Sequence, residues 1–154
     1  MSEPTPPAVV TKAITVRCPL ALAFRVWTAE IDCWWPKGHS LSGDPATEVR
    51  LEEQVGGRFY ERTAAGVEHR WGEITAWDPP HSLAFTWYLG TSPQQPSKVE
   101  VNFLAIDETY TQVKIEHRGP EWIGDLWATR SPRFAAGWTV VLRAYGGYSE
   151  VVKS

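Results

Sequence analysis

Residues 46–118 alternate between apolar and polar side chains in six short segments, and a period of two residues is typical of half-buried β-strands. Turn residues separate the segments, first at Gly56-Gly57, then at Ala64-Ala65-Gly66 and at Asp78-Pro79-Pro80. No connection is long enough for a helical crossover, so neighbouring strands must pair as an antiparallel meander. The predicted strands cover residues 47–54, 57–63, 67–77, 82–89, 98–106 and 110–118.

Helical spacing precedes this stretch. A first strand over residues 9–18 leads to Pro19, and proline favours the first position of a helix. Apolar residues that include Phe24 and Trp27 then recur every three to four positions, which predicts a helix over residues 19–31 with one buried face. The chain therefore contributes a strand and a helix before it enters the meander.

The C-terminal part of the chain returns to helical spacing. Trp122 and Trp127 belong to a short amphipathic segment that we expect to close one end of the sheet. Ser131-Pro132 is typical of an N-cap and first helical residue, and it predicts a long helix over residues 132–152. We expect that helix to kink or fray at Gly146-Gly147.

These elements predict an α+β fold, with a disordered lead-in of residues 1–8 and a single domain over residues 9–154. A twisted antiparallel sheet has one apolar face to cover, and the C-terminal helix is the only long element available to cover it. A curved sheet around one helix encloses space unless large side chains fill it. From the residues alone, a ligand cavity and a solid aromatic core are equally compatible with the pattern.

The composition excludes several classes of protein. The chain has 154 residues and a net charge of −3 with no basic stripe, which argues against nucleic-acid binding. It shows no apolar run that would span or insert into a membrane, and no secretory leader. Cys18, Cys33 and the four histidines match no zinc or redox spacing, so we predict neither a metal nor a cofactor. The default location is cytoplasmic.

Nine tryptophans are more than a small core needs, and an apolar cleft with a few polar groups is typical of a small-molecule site. Trp35, beside a Gly/Ser loop, suits a cavity entrance, and alternation places Trp71 and Glu73 on one inward face. His117 points inward either as a hydrogen-bonded core residue or as a group that orients a ligand. The predicted ligand-binding residues are Phe24, Trp27, Trp35, Trp71, Glu73, Phe85, Trp87, Phe103, His117, Trp122, Trp127, Phe134, Trp138 and Leu142.

The second hairpin of the meander carries the candidates for catalysis. If Gly66 is left-handed in a three-residue loop, Glu61 lies opposite His69, and Phe59 lies opposite Trp71. Glu61 and His69 then form either a catalytic acid–base pair or an ion pair on a partly solvated strand. A register change of one residue would separate them onto opposite faces.

A set of short motifs connects the chain to a known family. The motifs are Trp34-Trp35-Pro36, the runs 56–62, 71–74 and 77–80, Leu83-x-Phe85-x-Trp87, Glu116-His117-Arg118-Gly119 and Gly137-Trp138. Together they resemble the SRPBCC (START-like) superfamily, and within it the branch named for the C-terminal domain of the activator of heat-shock-protein-90 ATPase. The resemblance covers about residues 9–150. It implies a helix-grip fold, in which a seven-stranded antiparallel sheet curves around a long C-terminal helix.

The resemblance also implies a range of functions. Members of the superfamily bind lipids, sterols, hormones or polyketides in their cavity, and some catalyse cyclisation or dehydration there. Our leading hypothesis is a cofactor-free binding protein for a small hydrophobic or aromatic molecule. A cyclase, dehydratase or hydrolase that uses Glu61 and His69 is the first alternative, and a co-chaperone is the second. A chaperone partner is disfavoured because the chain leaves no room for the co-chaperone's separate N-terminal domain. Exposed strand edges are compatible with a homodimer.

Overall fold

The architecture was obtained as a computed structural model that describes residues 9–40, 42–87, 97–119 and 125–151, with the backbone alone for residues 125–130. The predicted lead-in over residues 1–8 and Trp122 lie outside the described residues. The strands are β1 (Val9–Val16), β2 (Glu48–Leu51), β3 (Arg58–Arg62), β4 (Glu68–Asp78), β5 (Ser82–Trp87), β6 (Ser97–Ala105) and β7 (Thr111–Arg118). The helices are α1 (Leu20–Thr28), α2 (Ile31–Trp34) and α3 (Asp125–Ser149).

All seven strands form one antiparallel sheet in the order β1-β7-β6-β5-β4-β3-β2, which confirms the predicted meander. Each described strand begins and ends within three residues of its predicted position. β1 joins the meander at its far end, pairing with β7 from Val9 opposite Arg118 to Val16 opposite Thr111. β1 and β2 are therefore the two edge strands, and the curled sheet wraps around α3 as a helix-grip fold.

The first helical unit differs from the prediction of one helix over residues 19–31. α1 ends at Thr28, whose hydroxyl donates to the Phe24 carbonyl at 2.8 Å and competes with the backbone N–H groups that would extend the helix. Glu30 leaves the helical region, with φ −107° and ψ 22°, and α2 starts at Ile31. Ile31 is nevertheless buried, as its helical spacing predicted.

The predicted start of the C-terminal helix at Pro132 is wrong. α3 begins at Asp125, so Pro132 lies inside the helix and not at its first position. Proline lacks a backbone N–H, which costs nothing in the first turn of a helix and one hydrogen bond in its interior. Here the helix tolerates that loss, so the Ser-Pro pair does not mark its start. Trp127, which the prediction assigned to a separate short segment, lies in the first part of α3.

α3 continues past Gly146-Gly147 to Ser149, so the helix does not fray at these two glycines. Gly146 instead permits a close approach between α3 and β1. A Cβ atom at Gly146 would lie 2.7 Å from Cδ1 of Ile14, closer than carbon atoms approach in proteins. The Tyr145 hydroxyl donates to the Ala23 carbonyl at 2.8 Å, which holds α3 against α1.

Candidate functional site

Eight buried aromatic rings lie together between the curled sheet, the short helices and α3. Each of them is exposed by 5% or less, and neighbouring ring centroids lie 5.1–6.4 Å apart in tilted or edge-on arrangements. We call them the interior aromatic cluster: Trp27, Trp34, Trp35, Phe59, Trp71, Phe85, Trp87 and Trp138.

Trp35 is at the centre of the interior aromatic cluster. The centroid of its ring lies 5.3 Å from that of Trp71, 6.2 Å from that of Trp87 and 6.3 Å from that of Trp138. Trp35 therefore contacts rings of both the sheet and α3. The prediction placed Trp35 at a cavity entrance, but its indole is only 5% exposed. The residue follows α2 directly, and its Nε1–H donates to the His39 carbonyl at 2.7 Å.

Trp27 carries the one buried side-chain N–H of the cluster without an acceptor among the described residues. The side chain is fully buried, between the rings of Trp34, Phe59 and Phe85. Most buried polar groups in proteins have a hydrogen-bond partner, and leaving one unpaired costs about 1–3 kcal/mol. The Trp27 Nε1–H is therefore an unused donor inside an apolar interior.

His117 links β7 to β6 and α3 through hydrogen bonds that determine its tautomer. Trp138 Nε1–H donates to Nδ1 of His117 at 2.9 Å, so Nδ1 is the unprotonated nitrogen. Nε2 therefore carries the proton and donates to the Ser97 hydroxyl at 2.5 Å. The Ser97 hydroxyl in turn donates to the Trp87 carbonyl at 2.9 Å. Each of these donors faces an acceptor only if His117 is neutral.

Burial keeps His117 in that neutral form. The side chain is fully buried and packs against the Phe134 ring, with the two ring centroids 4.3 Å apart. Desolvation lowers the pKa of His117 from 6.5 to about 3. At neutral pH the imidazole therefore serves as a neutral connector between sheet and helix, and its basic nitrogen is already occupied by Trp138.

Glu61 is a fully buried carboxylate on β3, and it anchors the segment that precedes β2. Oε2 accepts from the Ser42 hydroxyl at 2.6 Å and from the Thr47 hydroxyl at 2.8 Å. Oε1 accepts from the Ser42 N–H at 3.2 Å and from Trp71 Nε1–H at 3.0 Å. These are all neutral donors. Each hydrogen bond contributes about 0.5–1.5 kcal/mol, so together these bonds hold the loop onto the interior aromatic cluster.

Two substitutions at Glu61 test how much its hydrogen bonds contribute to the free energy of unfolding. In Glu61→Ala the Trp71 N–H loses its acceptor, so we expect the free energy of unfolding to fall by about 3 kcal/mol. Glu61→Gln can turn its amide toward the two hydroxyls, which are able to accept, and should cost about 1–2 kcal/mol. Urea unfolding of both variants checks the order, with Glu73→Gln at an exposed position as the control. A Glu61→Ala variant as stable as this control would contradict the anchor.

The predicted register of the second hairpin is confirmed near its loop. Gly66 has φ +86°, the Thr63 N–H donates to the Val67 carbonyl, and Glu61 pairs with His69. Among the described residues, however, no hydrogen bond or ion pair joins Glu61 to His69, whose side chain is only half-buried. Their role as catalytic acid and base stays a prediction.

Farther from the loop the predicted register is wrong, because a β-bulge shifts the pairing. Phe59 lies opposite Gly72 and not opposite Trp71, with the irregularity between Phe59 and Tyr60. An extra residue on one strand reverses the side-chain alternation beyond it. Trp71 and Ile74 are both buried, whereas Glu73, predicted to face inward, is exposed.

The remaining predicted residues lie beside the interior aromatic cluster, against His117 or elsewhere on α3. Phe24 and Phe103 pack edge to face at 5.1 Å beside the interior aromatic cluster, and Phe134 packs on His117. Leu142 is buried on α3. Trp127 lies in α3, where the structure describes only the backbone.

Three polar residues of the site were not predicted from the sequence. Ser97 was assigned to a loop, but it is the buried first residue of β6. Ser42 lies in a loop without a periodic pattern, and Thr47 is the first residue of the predicted strand over residues 47–54, where the alternation of apolar residues does not single out a threonine.

Two features are absent from the described part of the chain. No three His, Cys, Asp or Glu side chains there come together as a group that could hold a metal ion. No helix in the same ranges is both long and apolar enough to cross a membrane.

A curled seven-stranded sheet that grips a C-terminal helix over an aromatic interior defines an SRPBCC (START-like) protein. Within that class, the chain belongs to the family described as Activator of Hsp90 ATPase homolog 1-like protein, whose model matches residues 17–145. No curated protein matches the chain.

Several solved structures are similar to this chain in fold, and among them Txn09 and CalC are also similar in sequence. The anthrahydroquino-gama-pyrone synthase Txn09, complexed with SUM, is 26% identical with a TM-score of 0.61, over 90% of this chain and 95% of that one. The self-sacrificing resistance protein CalC from Micromonospora echinospora is 27% identical with a TM-score of 0.70, over 92% and 93%. Protein CV1439 from Chromobacterium violaceum, 15% identical with a TM-score of 0.65 over 95% and 100%, is similar in fold alone.

Proposed function

We propose that the chain binds a small, planar aromatic molecule that carries a carbonyl group, within the interior aromatic cluster. The observation that carries this proposal is the Trp27 Nε1–H, a fully buried donor without an acceptor among the described residues. A ligand carbonyl that accepts from this N–H would recover the cost of burying it unpaired, about 1–3 kcal/mol.

The surroundings of Trp27 suit such a ligand. The Trp27 ring meets Phe85 at an interplanar angle of 34°, Trp34 at 60° and Phe59 at 89°, so a planar guest that separates these rings would meet both ring faces and ring edges. The polar atoms of Glu61 and His117 already take part in hydrogen bonds. These two residues fix the walls, and Trp27 supplies the donor that distinguishes a ketone from a hydrocarbon.

One similar protein supports this class of ligand. Txn09 is named a synthase of an anthrahydroquino-gama-pyrone, and a pyrone contains a ring carbonyl. At 26% identity, Txn09 supports the class of molecule and not a particular compound.

A matched pair of probes tests the proposal. 9-Fluorenone and fluorene share one ring skeleton, and only 9-fluorenone carries a carbonyl. Because neighbouring rings of the cluster are in contact, a guest must separate them, and we expect saturable quenching of tryptophan emission. One hydrogen bond should favour 9-fluorenone over fluorene by about tenfold in Kd.

The matched variants are Trp27→Phe and Trp34→Phe. Both variants replace an indole of the cluster with a smaller phenyl ring that has no N–H. The Trp34 N–H, however, already donates to the Val26 carbonyl at 2.7 Å. We expect Trp27→Phe to abolish the preference for 9-fluorenone and Trp34→Phe to keep it. No saturable quenching by either probe, or an unchanged preference in Trp27→Phe, would contradict the proposal.

The two alternatives stay predictions. Glu61 and His69 lie opposite each other on paired strands, which a catalytic pair requires, but ligand binding at Trp27 does not depend on either of them. A co-chaperone role has the family description in its favour, and no contact within the described residues bears on it.

A further inference from the structure

A second recess lies outside the interior aromatic cluster, between the edge strand β1 and α3. It is an open groove of about 370 Å³, lined by residues 12–16 of β1 and by one face of α3 that includes Arg143, Gly147 and Glu150. None of the residues that line it is aromatic. The groove therefore differs in chemistry from the interior, and neither the family description nor the similar structures assign it a ligand.

The charges of the groove are separated along its length. Lys12 and Arg143 line it, and neither forms an ion pair in the described ranges. The one carboxylate, Glu150, accepts from the Arg17 N–H at 3.3 Å, beyond the end of β1. β1 and α3 run in the same direction here, because Gly146 meets Ile14 and Glu150 meets Arg17. Lys12 and Arg143 precede these contacts on their own elements, so both cations lie at the end away from Glu150.

The middle of the groove is apolar and is kept open by a glycine. Ile14 and Leu142 supply aliphatic side chains there. A Cβ atom at Gly147 would meet no atom within 4 Å, so packing does not require a glycine at this position. Glycine within a helix costs about 1 kcal/mol relative to alanine. The close approach to Ile14 explains Gly146, whereas at Gly147 the missing side chain leaves space in the groove.

We propose that this groove is a second binding site, and that it takes a medium-chain aliphatic carboxylate. The carboxylate pairs with Lys12 and Arg143, and the alkyl chain lies over Ile14 and Leu142 in the space that Gly147 leaves. Two cations without an acidic partner among the described residues complement one anion, and aliphatic walls complement an alkyl chain. The site is separate from the one proposed at Trp27.

Octanoate, titrated into the ¹⁵N-labelled full chain, tests the site, and octan-1-ol is the uncharged control. We expect octanoate to shift the amide signals of Ile14, Gly146 and Gly147 saturably, while the indole signals of Trp27 and Trp71 stay in place. Octan-1-ol should bind about tenfold more weakly, because it lacks the charge that Lys12 and Arg143 recognise.

Two pairs of variants locate the ligand. Gly147→Leu fills the groove, and Ala136→Leu adds the same side chain at an exposed position of α3 that does not line it. Lys12→Gln combined with Arg143→Gln removes the two cations, and Arg133→Gln removes an exposed arginine elsewhere on α3. We expect about a tenfold rise in the Kd of octanoate for Gly147→Leu and for the double variant, with less than a twofold change for the two controls.

Three results would overturn the groove site. They are the absence of saturable amide shifts, equal affinity for octanoate and octan-1-ol, and shifts confined to the indole signals of the interior aromatic cluster. None of these results changes the expected preference of the protein for 9-fluorenone over fluorene. Failure of the groove site is therefore distinguishable from failure of the proposed function.

Discussion

Gly72→Ala is expected to lower the free energy of unfolding by about 4 kcal/mol or more, among the largest effects of any single methyl group in this chain. A Cβ atom at Gly72 would lie 1.8 Å from the carbonyl oxygen of Thr86 and 2.8 Å from its carbonyl carbon. Both are backbone atoms of β5, which pairs with β4 on one side and with β6 on the other. The strand has nowhere to move, so the sheet must separate at this point.

Gly137→Ala is the matched control for this substitution. Gly137 lies in α3, and a Cβ atom there would meet nothing within 4 Å. Alanine in a helix is favoured over glycine by about 1 kcal/mol, so this variant should be slightly more stable than the parent. Urea unfolding followed by circular dichroism compares the two variants. A Gly72→Ala variant that unfolds within 1 kcal/mol of the parent would show that β4 and β5 are not in such close contact.

The same close contact explains where the sequence-based register failed. The alternation of side chains predicted every described strand, because a period of two is enforced by burial of one face. It could not predict the bulge opposite Phe59, since the bulge depends on Gly72 lying against Thr86 on the next strand. A signal was present: Trp71 and Ile74 are both large and apolar but are three positions apart, with Gly72 between them.

The candidate site was predicted unevenly for a similar reason. Six of the eight residues of the interior aromatic cluster were predicted to bind a ligand, most of them because they occupy inward positions of strands and helices with a regular period. Trp34 and Phe59 were not among the predicted ligand-binding residues. Two hydroxyl partners of Glu61 were missed, because Ser42 belongs to a loop without a period and Thr47 is a polar residue at the start of the predicted strand over residues 47–54. The protonation state of His117 depends on an indole N–H from α3, a residue 21 positions away in the sequence. Family resemblance implied the fold, and only the three-dimensional contacts assigned these polar roles.

Acidification is expected to destabilise the fold by about 2 kcal/mol between pH 8 and pH 5, through His117 alone. The pKa of His117 is about 3 in the folded protein and 6.5 in the unfolded chain, where the imidazole is in water. Between these values the unfolded chain binds a proton that the folded protein does not. The stabilisation is therefore complete above pH 6.5 and is lost as the pH falls toward 3, by up to about 1.4 kcal/mol per pH unit.

The substitution His117→Gln separates this titration from the hydrogen bonds around it. A glutamine can accept from Trp138 through its oxygen and donate to Ser97 through its nitrogen, but it does not bind a proton in this range. We expect its unfolding free energy to change much less between pH 8 and pH 5 than that of the parent. His69→Gln, at a half-buried position outside this hydrogen-bond chain, should keep the parental slope. Equal slopes for the parent and His117→Gln would mean that His117 is protonated in the folded protein, and the proton on Nδ1 would then face the Trp138 N–H, donor against donor.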